Sequence, residues 1–396
     1  MSEANAAAPP AHAAVTDPLP IWGMREPLPP PGVLPERVEI VVVGGGISGV
    51  ALLAALRARG VDAILLERGH LAAGASGRNA GLLLAGVAEN YARAAARHGR
   101  RVAEEVWRFT LDNHSLVAAA AGRLDAAHRV RGSLTVALGP EEAASLEESA
   151  TLLAEDRLPG SMSAGPEPSG ALASLFNPRD GEIDPVRLVR GLAAAHGDRV
   201  HEAVRVVAVE DGATHAVVHL EDRAIDTSAV VLATNAWTRD LVDSIPIDAV
   251  RAQMLATAPV AAAVSRPVYA EWGNRYWRQL QDGTLLVGGF RHMAATEEVG
   301  FDVSPTAAVQ AHLDTQLGEL VGGATVTHRW AGTMGFSADG LPVVGLLPGL
   351  RHVHVCAGYT GHGMGFALNA AAGLARLMLD AHPLPAWIDA ARLPIR

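Results

Sequence analysis

The chain has 396 residues, of which 49% are hydrophobic and only 4% aromatic, enough apolar mass for a large and mainly aliphatic core. Its 32 lysines and arginines stand against 42 aspartates and glutamates. The resulting net charge of −10 argues against nucleic acid as a partner, because phosphate binding needs a basic surface. A single cysteine excludes an intrachain disulfide, and no zinc-ligand spacing occurs, so we expect no metal.

The N-terminal 35 residues are rich in alanine and proline. Five prolines between residues 27 and 35 disfavour a helix there, so we interpret residues 1–35 as an extended, partly disordered arm. The arm has no basic segment followed by an apolar one, and no apolar run in the chain is long enough for a transmembrane helix. The sequence therefore predicts no membrane span and a cytoplasmic location.

A dinucleotide-binding pattern begins at the apolar strand 38–43. The strand runs into Gly-Gly-Gly-Ile-Ser-Gly at 44–49, which fits G-x-G-x-x-G, and then into a helix over 50–60. A second strand over 62–66 ends at Glu67. A glycine motif alone is weak evidence, but strand, glycines, helix, strand and terminal acid together predict a bound dinucleotide.

The residue types in this pattern suit a pyrophosphate and a ribose. Gly44 permits the tight turn, Gly46 lets the backbone approach the pyrophosphate, and Gly49 allows close packing of helix on strand. The helix dipole favours the phosphates. Glu67 lies 18 residues after Gly49, near the spacing of the acid that accepts ribose hydroxyls. The pattern does not by itself choose between FAD and NAD.

A run of small residues follows at 74–81, Gly-Ala-Ser-Gly-Arg-Asn-Ala-Gly. It is a poor former of helix and of strand, and it can place many backbone N–H groups beside an anionic ligand. The alternative is an ordinary surface loop.

The middle of the chain reads as alternating helices and strands. We predict helices over 86–125, 141–154, 186–195 and 305–320, and strands over 132–138, 200–209, 216–220, 229–233 and 284–289. Strand 229–233 is wholly apolar, so we expect it to be buried on both faces. It runs into Thr234-Asn235-Ala236, small residues that predict a second close approach to the dinucleotide.

A second strand–glycine–helix element lies near the C-terminus. The strand 353–357 precedes Gly-Tyr-Thr-Gly-His-Gly-Met at 358–364, and an alanine- and leucine-rich helix follows. Its glycines and helix N-terminus predict another site for an anion or a carbonyl oxygen. Cys356 in this strand is interpreted as a buried packing residue, with a catalytic or flavin-linking thiol as the alternative.

With these motifs the chain resembles the D-amino-acid-oxidase-like flavoprotein superfamily, which includes glycine and sarcosine oxidases, and within it the branch of γ-glutamylputrescine oxidoreductase. The matching stretches run in family order from about residue 36 to 375: VVVGGGISG, LLERGHLAAGASGRNAG, GEIDP, VVLATNAW, YWRQLQDGTLLVGG, RWAGTMGFSADGLPVVG and GYTGHGM. The resemblance implies an α/β fold with a discontinuous, Rossmann-like FAD-binding domain and a substrate domain with a mixed or antiparallel sheet. The expected FAD-binding segments are 36–85, 180–240 and 325–396, and the expected substrate-domain segments are 86–179 and 241–324.

The resemblance also implies non-covalent FAD, because the positions at which some relatives link the flavin carry Gly332 and, approximately, Arg78. The residues expected along the cofactor are Gly44, Gly46, Ile47, Ser48, Gly49, Glu67, Arg68, Gly74, Ala75, Ser76, Arg78, Asn79, Ala80, Gly81, Val206, Thr234, Asn235, Ala236, Gly358, Gly361, His362, Gly363 and Met364.

The implied reaction is oxidation of the carbon–nitrogen bond of a small amine by hydride transfer to flavin N5, giving an imine that hydrolyses, with electrons passing to O2 and release of H2O2. The catalytic pocket candidates are Tyr276, Trp330, Tyr359 and His362, with core packing as the alternative for each aromatic residue. The substrate-contact candidates are Leu82, Tyr276, Arg278, Arg291 and Met334.

Met334 stands where amino-acid-oxidising relatives carry an arginine that binds the substrate carboxylate. We therefore expect an amine whose reacting carbon bears no free carboxylate, unless Arg278 or Arg291 replaces that arginine. The alternatives are a dehydrogenase that reduces a quinone or a protein acceptor, a flavin-binding subunit without chemistry of its own, and an NAD-linked dehydrogenase. The substrate, the electron acceptor and the oligomeric state stay open, a homo-oligomer among the options.

Overall fold

The computed structural model describes residues 19–23, 28, 32–165, 168 and 170–393. Most of the predicted N-terminal arm lies outside these residues. The α-helices are α1 Ile47–Arg57, α2 Tyr91–His98, α3 Arg100–Ala121, α4 Pro140–Glu155, α5 Pro185–Ala194, α6 Ala307–Leu320 and α7 Gly363–Asp380. The strands are β1 Arg37–Val43, β2 Ala63–Leu66, β3 Leu82–Leu83, β4 Arg129–Val130, β5 Ser133–Ala137, β6 Ser161–Met162, β7 Ala173–Asn177, β8 Gly181–Glu182, β9 Val200–His201, β10 Val206–Asp211, β11 Ala216–Leu220, β12 Ala224–Leu232, β13 Ile247–Thr257, β14 Val268–Ala270, β15 Arg275–Gln279, β16 Leu285–Gly289, β17 Val326–Ser337, β18 Val343–Leu346 and β19 Val353–Ala357.

The first sheet is parallel at its centre. Strand β1 lies between β12 and β2, β9 pairs with the far side of β2, and β19 joins β12 in parallel. Val43 at the end of β1 is level with Leu66 and with Leu232. The carboxyl ends of three buried strands therefore meet at one edge, the position where open parallel sheets bind ligands.

Helices cover one face of this sheet. Val42 and Leu65 pack into the same core as α1 and α7, whereas Val41 and Ile64 pack on the opposite face in a separate core. Burial on both faces explains why these strands read as continuous apolar runs in the sequence. The chain thus has the predicted α/β fold with a Rossmann-like sheet.

The second sheet is mixed, in the order β17-β13-β16-β15-β14-β5-β7-β6. Each neighbouring pair is antiparallel except β14 with β5. Strand β17 belongs to this sheet, since it pairs with β13 along nearly its whole length. Along β13, Met254 faces the core shared with the first sheet, whereas Leu255 packs beneath α6. This alternation gives the sheet one face toward α6 and one toward the carboxyl edge of the first sheet.

The helix prediction over 86–125 is only partly confirmed. Gly99, with φ +87°, separates α2 from α3, and residues 86–90 lie outside the helices. The side chain of Asn90 accepts a hydrogen bond from the backbone N–H of Arg93 and so caps α2. The other predicted helices agree with α4, α5 and α6 to within a few residues. None of the helices in the described ranges is long and apolar enough to cross a membrane.

The described part of the arm is docked on the protein. Trp22 is 7% exposed, and its Nε1 donates a 2.9 Å hydrogen bond to the carbonyl oxygen of Asn79. The guanidinium carbon of Arg278 lies 5.3 Å from the centre of its ring. The arm residues that the structure describes are not helical, and most of the prolines lie outside the described residues. Proline content does not reveal the Trp22 anchor, because one tryptophan makes no periodic pattern.

Replacing Trp22 with alanine is expected to lower the free energy of unfolding by about 3 kcal/mol, the usual cost of truncating a buried tryptophan. The Trp22→Phe variant keeps most of the packing and loses the N–H donor, so its loss is expected to be about 1 kcal/mol. Urea unfolding followed by circular dichroism measures both. An alanine variant as stable as the wild type would contradict a stabilising role for the docked arm.

Candidate active site

A cavity of about 670 Å³ lies between the carboxyl edge of the first sheet and the inner face of the second. Its volume falls within the range of roughly 300–1,000 Å³ that is typical of sites for cofactors and small ligands. Three turns contribute to its wall, those following β1, β12 and β19, and the first and third of them contain glycines.

The turn after β1 brings backbone rather than side chains to the cavity. Gly44 has φ +112°, and a Cβ on it would lie 2.7 Å from the carbonyl oxygen of Ala233. A Cβ on Gly49 would overlap the carbonyl oxygen of Gly44. Gly46 precedes α1 and provides no side-chain cap, so the positive end of the helix dipole faces the cavity. This cradle is open to an anion such as a pyrophosphate.

Glu67 is fixed at the same edge of the sheet. One carboxylate oxygen accepts a 2.7 Å hydrogen bond from the N–H of Gly45, and the other accepts one of 2.7 Å from the N–H of Gly69. The carboxylate lines the cavity beside the glycine turn. An acid at the end of the second strand of such a sheet is in the position expected for the acceptor of ribose hydroxyls.

The run of small residues at 74–81 wraps one side of the cavity and is tied to the second sheet. Arg78 donates from Nη1 to the carbonyl oxygen of Ala331 at 2.9 Å. In return, Trp330 Nε1 donates to the carbonyl oxygen of Arg78 at 2.9 Å. Within the loop, the side-chain amide of Asn79 donates to the carbonyl oxygens of Ala75 and Ser76. The loop is therefore an ordered wall and not a free surface segment.

A direct contact joins the turns after β1 and β19. The hydroxyl of Ser48 donates to the hydroxyl of Tyr359 at 2.8 Å, and the sulfur of Cys356 lies 3.2 Å from the same phenol oxygen. Burial raises the pKa of the Cys356 thiol to about 11, so the thiol stays protonated at neutral pH. Its burial agrees with the interpretation of Cys356 as a packing residue.

His362 immediately precedes α7 and lines the cavity. Burial lowers its pKa to about 4, which makes the imidazole neutral at physiological pH. Among the described residues, its Nδ1 and the hydroxyl oxygen of Thr333, which also lines the cavity, are buried without a hydrogen-bond partner. Buried polar atoms are normally paired, so these two atoms fit a bound ligand with a polar edge.

The inner face of the second sheet forms the far wall. Met254, Gly288, Tyr276 and Tyr269 are in register across four neighbouring strands. A Cβ on Gly288 would overlap the ring of Tyr276, so the glycine makes room for this ring. Burial raises the pKa of Tyr276 to about 12, and burial also raises that of Tyr269, so both phenols keep their protons.

Most of the residues predicted for the site do line this cavity. Those that do not are Gly49, Gly81, Ala236, Gly358, Arg278 and Trp330. Gly49 nevertheless packs α1 closely on the end of β1, as its motif position implies.

Arg278 and Trp330 require correction as substrate-contact and catalytic pocket candidates. Arg278 is 2% exposed and donates to the carbonyl oxygens of Gly81 and Ile183, with Glu182 at 3.5 Å. Its two Nη atoms are thus engaged within the protein, while its Nε is buried without a hydrogen-bond partner among the described residues. Trp330 is fully buried and supports Arg78 from behind. Both side chains shape the wall of the cavity without facing into it.

Several cavity residues were not predicted from the sequence, among them Met254, Tyr269, Trp272 and Phe336. Tyr269 had a usable signal, since it pairs with Tyr276 in a hairpin and shares its face. The others come from strands and turns whose residues carry no motif.

The site combines three features that together define a flavin-dinucleotide-binding protein. They are a Rossmann-like sheet with a glycine turn after its first strand, a carboxylate held at the same edge of the sheet, and a second glycine turn at the far edge of the cavity. The chain belongs to the DAO family of FAD dependent oxidoreductases, whose family model matches residues 39–377. Flavoproteins of this family bind FAD, and the cradle and the unpaired polar atoms described above fit that cofactor. The predicted family and cofactor are thereby confirmed.

Two curated relatives illustrate the match. The chain is 32% identical over 277 residues to 4-methylaminobutanoate oxidase (formaldehyde-forming) of Paenarthrobacter nicotinovorans, covering 65% of this chain and 32% of that protein. It is 29% identical over 357 residues to the tRNA 5-methylaminomethyl-2-thiouridine biosynthesis bifunctional protein MnmC of Burkholderia multivorans, covering 83% of this chain and 51% of that protein. The chain thus spans about a third to a half of the length of these relatives.

Solved structures show the same fold. Glycine oxidase from Geobacillus kaustophilus has a TM-score of 0.76 at 21% identity, covering 89% of this chain and 97% of that chain. L-proline dehydrogenase from P.horikoshii has a TM-score of 0.74 at 21% identity, covering 88% and 95%. L-alpha-glycerophosphate oxidase from Mycoplasma pneumoniae, with FAD bound, has a TM-score of 0.71 at 16% identity, covering 91% and 99%.

The Gly49→Ala variant is expected to lose FAD, because the added methyl group overlaps the Gly44 carbonyl and forces the pyrophosphate turn to move. The flavin absorbance of the purified protein, relative to its protein absorbance, measures the loss. Gly318→Ala in α6 is the matched control, since a Cβ there meets nothing within 4 Å. Equal flavin content in the two variants would show that the turn does not hold the cofactor.

We expect FAD to be released by acid precipitation. Neither Gly332 nor Arg78 has a side chain that could form a flavin linkage. The thiol of Cys356 is hydrogen-bonded to the hydroxyl of Tyr359, which also contacts Ser48. The yellow colour should pass to the supernatant. Colour retained in the washed pellet would show a covalent bond.

Proposed function

We propose that this protein oxidises the carbon–nitrogen bond of a small amine and passes the electrons to O2, with release of H2O2. Bound FAD supplies the hydride acceptor. The residues of this chain bind the cofactor, hold the amine in position and keep bulk water away from it.

The proposal rests on one observation, the chemical type of the side chains on the cavity wall that the second sheet forms. It combines aromatic and apolar side chains, Tyr269, Tyr276 and Met334 among them, with a neutral imidazole from His362. Among the described residues, two acidic side chains line the cavity, Glu67 and Asp240, and both belong to segments at the carboxyl edge of the first sheet. A wall without carboxylates disfavours an ammonium ion and favours the neutral amine, which is the form that can give up a hydride from its adjacent carbon.

The cofactor contacts that we propose follow the turns. Gly44, Gly46 and Ser48 hold the pyrophosphate, and Glu67 accepts from the adenosine ribose. The run of small residues at 74–81 follows the ribityl chain. Thr234 and Asn235 approach the adenine half, and residues 361–364 contact the pyrimidine edge of the flavin, where the dipole of α7 favours electron-rich oxygen and nitrogen atoms.

The relatives support an amine as the substrate. The name of 4-methylaminobutanoate oxidase (formaldehyde-forming) describes oxidation of a methylated amine. The MnmC relatives are named for tRNA biosynthesis, but the net charge of −10 on this chain favours a small molecule over tRNA. The similar structures include oxidases and a dehydrogenase, so the acceptor is a separate question for experiment.

The experiment is anaerobic mixing of the holoprotein with a panel of primary, secondary and N-methylated amines, followed by flavin absorbance. Bleaching by at least one amine supports amine oxidation, and no bleaching by any of them contradicts it. The amount of H2O2 formed per turnover in air then separates an oxidase, which gives one equivalent, from a dehydrogenase, which gives little and needs a quinone or a protein acceptor.

We further expect the rate of flavin reduction to rise with pH up to the pKa of the substrate amine, because only the neutral amine reacts. The pKa of His362, about 4, lies below this range. A His362→Asn variant should therefore change the rate but leave the midpoint of the pH profile in place. A midpoint that moves with this substitution would show that His362 serves as the proton acceptor.

A further inference from the structure

Helix α3 buries two polar side chains on one face. Thr110 and Asn113 are three residues apart, so they are neighbours on the helix surface, and both are 0% exposed. The hydroxyl of Thr110 accepts a 2.9 Å hydrogen bond from the N–H of Gly86, in the stretch 84–88 whose two end residues line the cavity. A buried polar group is costly without partners, so these two positions indicate contacts that apolar packing could not replace.

Asn113 binds the backbone of α7. Its side-chain amide donates a 2.9 Å hydrogen bond to the carbonyl oxygen of Met364, which is 251 positions later in the chain. Its side-chain oxygen accepts a bond of 2.9 Å from the N–H of Leu368 and one of 3.1 Å from the N–H of Asn369. In an α-helix the N–H of residue 368 is the natural partner of the carbonyl oxygen of residue 364. Asn113 therefore contacts both partners of one hydrogen-bonded rung of α7.

This rung lies at the start of α7, where the helix meets the cavity. Gly363, Met364 and Gly365 all line the cavity. A Cβ on Gly365 would lie 2.8 Å from the carbonyl oxygen of Leu84, so the first turn of the helix packs tightly on the stretch after β3. The residue before the helix, His362, provides no side-chain cap, so the positive end of the helix dipole is left to the cavity.

Hydrogen bonds fix this turn in a way that apolar packing cannot. Apolar contacts between helices are non-directional, so they allow one helix to slide or rotate slightly against the other. The bonds of one planar amide, one donated and two accepted, define both the distance and the rotation of the α7 backbone relative to α3. The effect of a helix dipole falls off within the first turn. A small displacement of this turn would therefore change the field that acts on a ligand at its end.

We propose that Asn113 is a positioning residue for the cofactor. It holds the first turn of α7 in place, and the dipole of α7 then favours the reduced, electron-rich flavin. The inference rests on the proposed function for the orientation of FAD, with its pyrimidine edge at residues 361–364. Asn113 does not line the cavity, so it acts through α7 and not by touching the flavin. The effect needs neither an amine nor turnover.

The first experiment measures the midpoint reduction potential of the bound FAD by equilibration with a redox dye. Asn113→Ala and Asn113→Leu both remove the bonds to α7. Both variants should fold, because the carbonyl oxygen of Met364 and the N–H of Leu368 can pair with each other when the amide is gone. At the midpoint potential of the wild type, the ratio of reduced to oxidised flavin should fall roughly three- to tenfold in each variant, the scale of a helix-dipole interaction.

Asn369→Ala is the matched control. The side chain of Asn369 donates a 3.0 Å hydrogen bond to the carbonyl oxygen of Phe109, so it also joins α7 to α3, but beyond the first turn and without lining the cavity. The reduction potential of this variant should equal that of the wild type. A wild-type potential in both Asn113 variants, or an equal shift in Asn369→Ala, would overturn the positioning role.

The second experiment follows amide hydrogen exchange of the peptide spanning residues 361–368 by mass spectrometry, which is measurable whether or not a variant retains FAD. Exchange should be roughly tenfold faster in Asn113→Ala than in the wild type, the worth of one hydrogen bond. Asn369→Ala should match the wild type. Equal protection in the wild type and Asn113→Ala would show that Asn113 does not hold this turn, and the inference would fall.

The outcomes separate this inference from the proposed reaction. If the potential falls in the Asn113 variants but no amine bleaches the flavin, the positioning role stands and the proposed oxidation fails. If an amine bleaches the wild-type flavin but the potential does not respond to Asn113, the oxidation stands and the positioning role fails.

Discussion

The site depends on the close approach of three chain turns at one edge of a parallel sheet. Gly44 and Gly49 lie so near Ala233 and each other that neither glycine has room for a side chain. The hydroxyl of Ser48 reaches across to Tyr359, more than 300 residues later in the chain. Because these contacts involve backbone atoms and buried hydroxyls, the turns cannot separate without exposing apolar core or leaving polar groups unpaired.

Once this edge is formed, the second sheet closes the cavity from above. Its side chains alternate between the two faces, so that Met254 lies on the cavity face and Leu255 packs against α6. A single sheet therefore serves as both cavity wall and packing surface. Arg78 and Trp330 fasten the loop at 74–81 to β17 by reciprocal hydrogen bonds. This side of the cavity wall is therefore tied to the second sheet at both Arg78 and Trp330.

The arginines near the cavity show how tertiary context divides one residue type into different roles. Arg78 and Arg278 donate to backbone carbonyls and hold loops in place. Arg291 stacks on Phe336, with its guanidinium carbon 4.8 Å from the ring centre. The same side chain therefore fixes backbone segments where carbonyl oxygens surround it and packs on an aromatic ring where they do not.

Local patterns in the sequence determine the parts of this protein that depend on neighbouring residues. Spacing and residue type predict the glycine turn at 44–49, the buried strands, Glu67 and the turn at 358–364, and hence an α/β fold with a dinucleotide site, because each needs particular backbone geometry within a short segment. The choice of FAD as the dinucleotide came from the family resemblance. The role of Arg278, the burial of Trp330, the docking of Trp22 and the clustering of Tyr269 with Arg291 follow only from the folded chain. Each of these depends on contacts between segments far apart in sequence, and periodicity carries no information about which distant carbonyl, ring or carboxylate a side chain will meet.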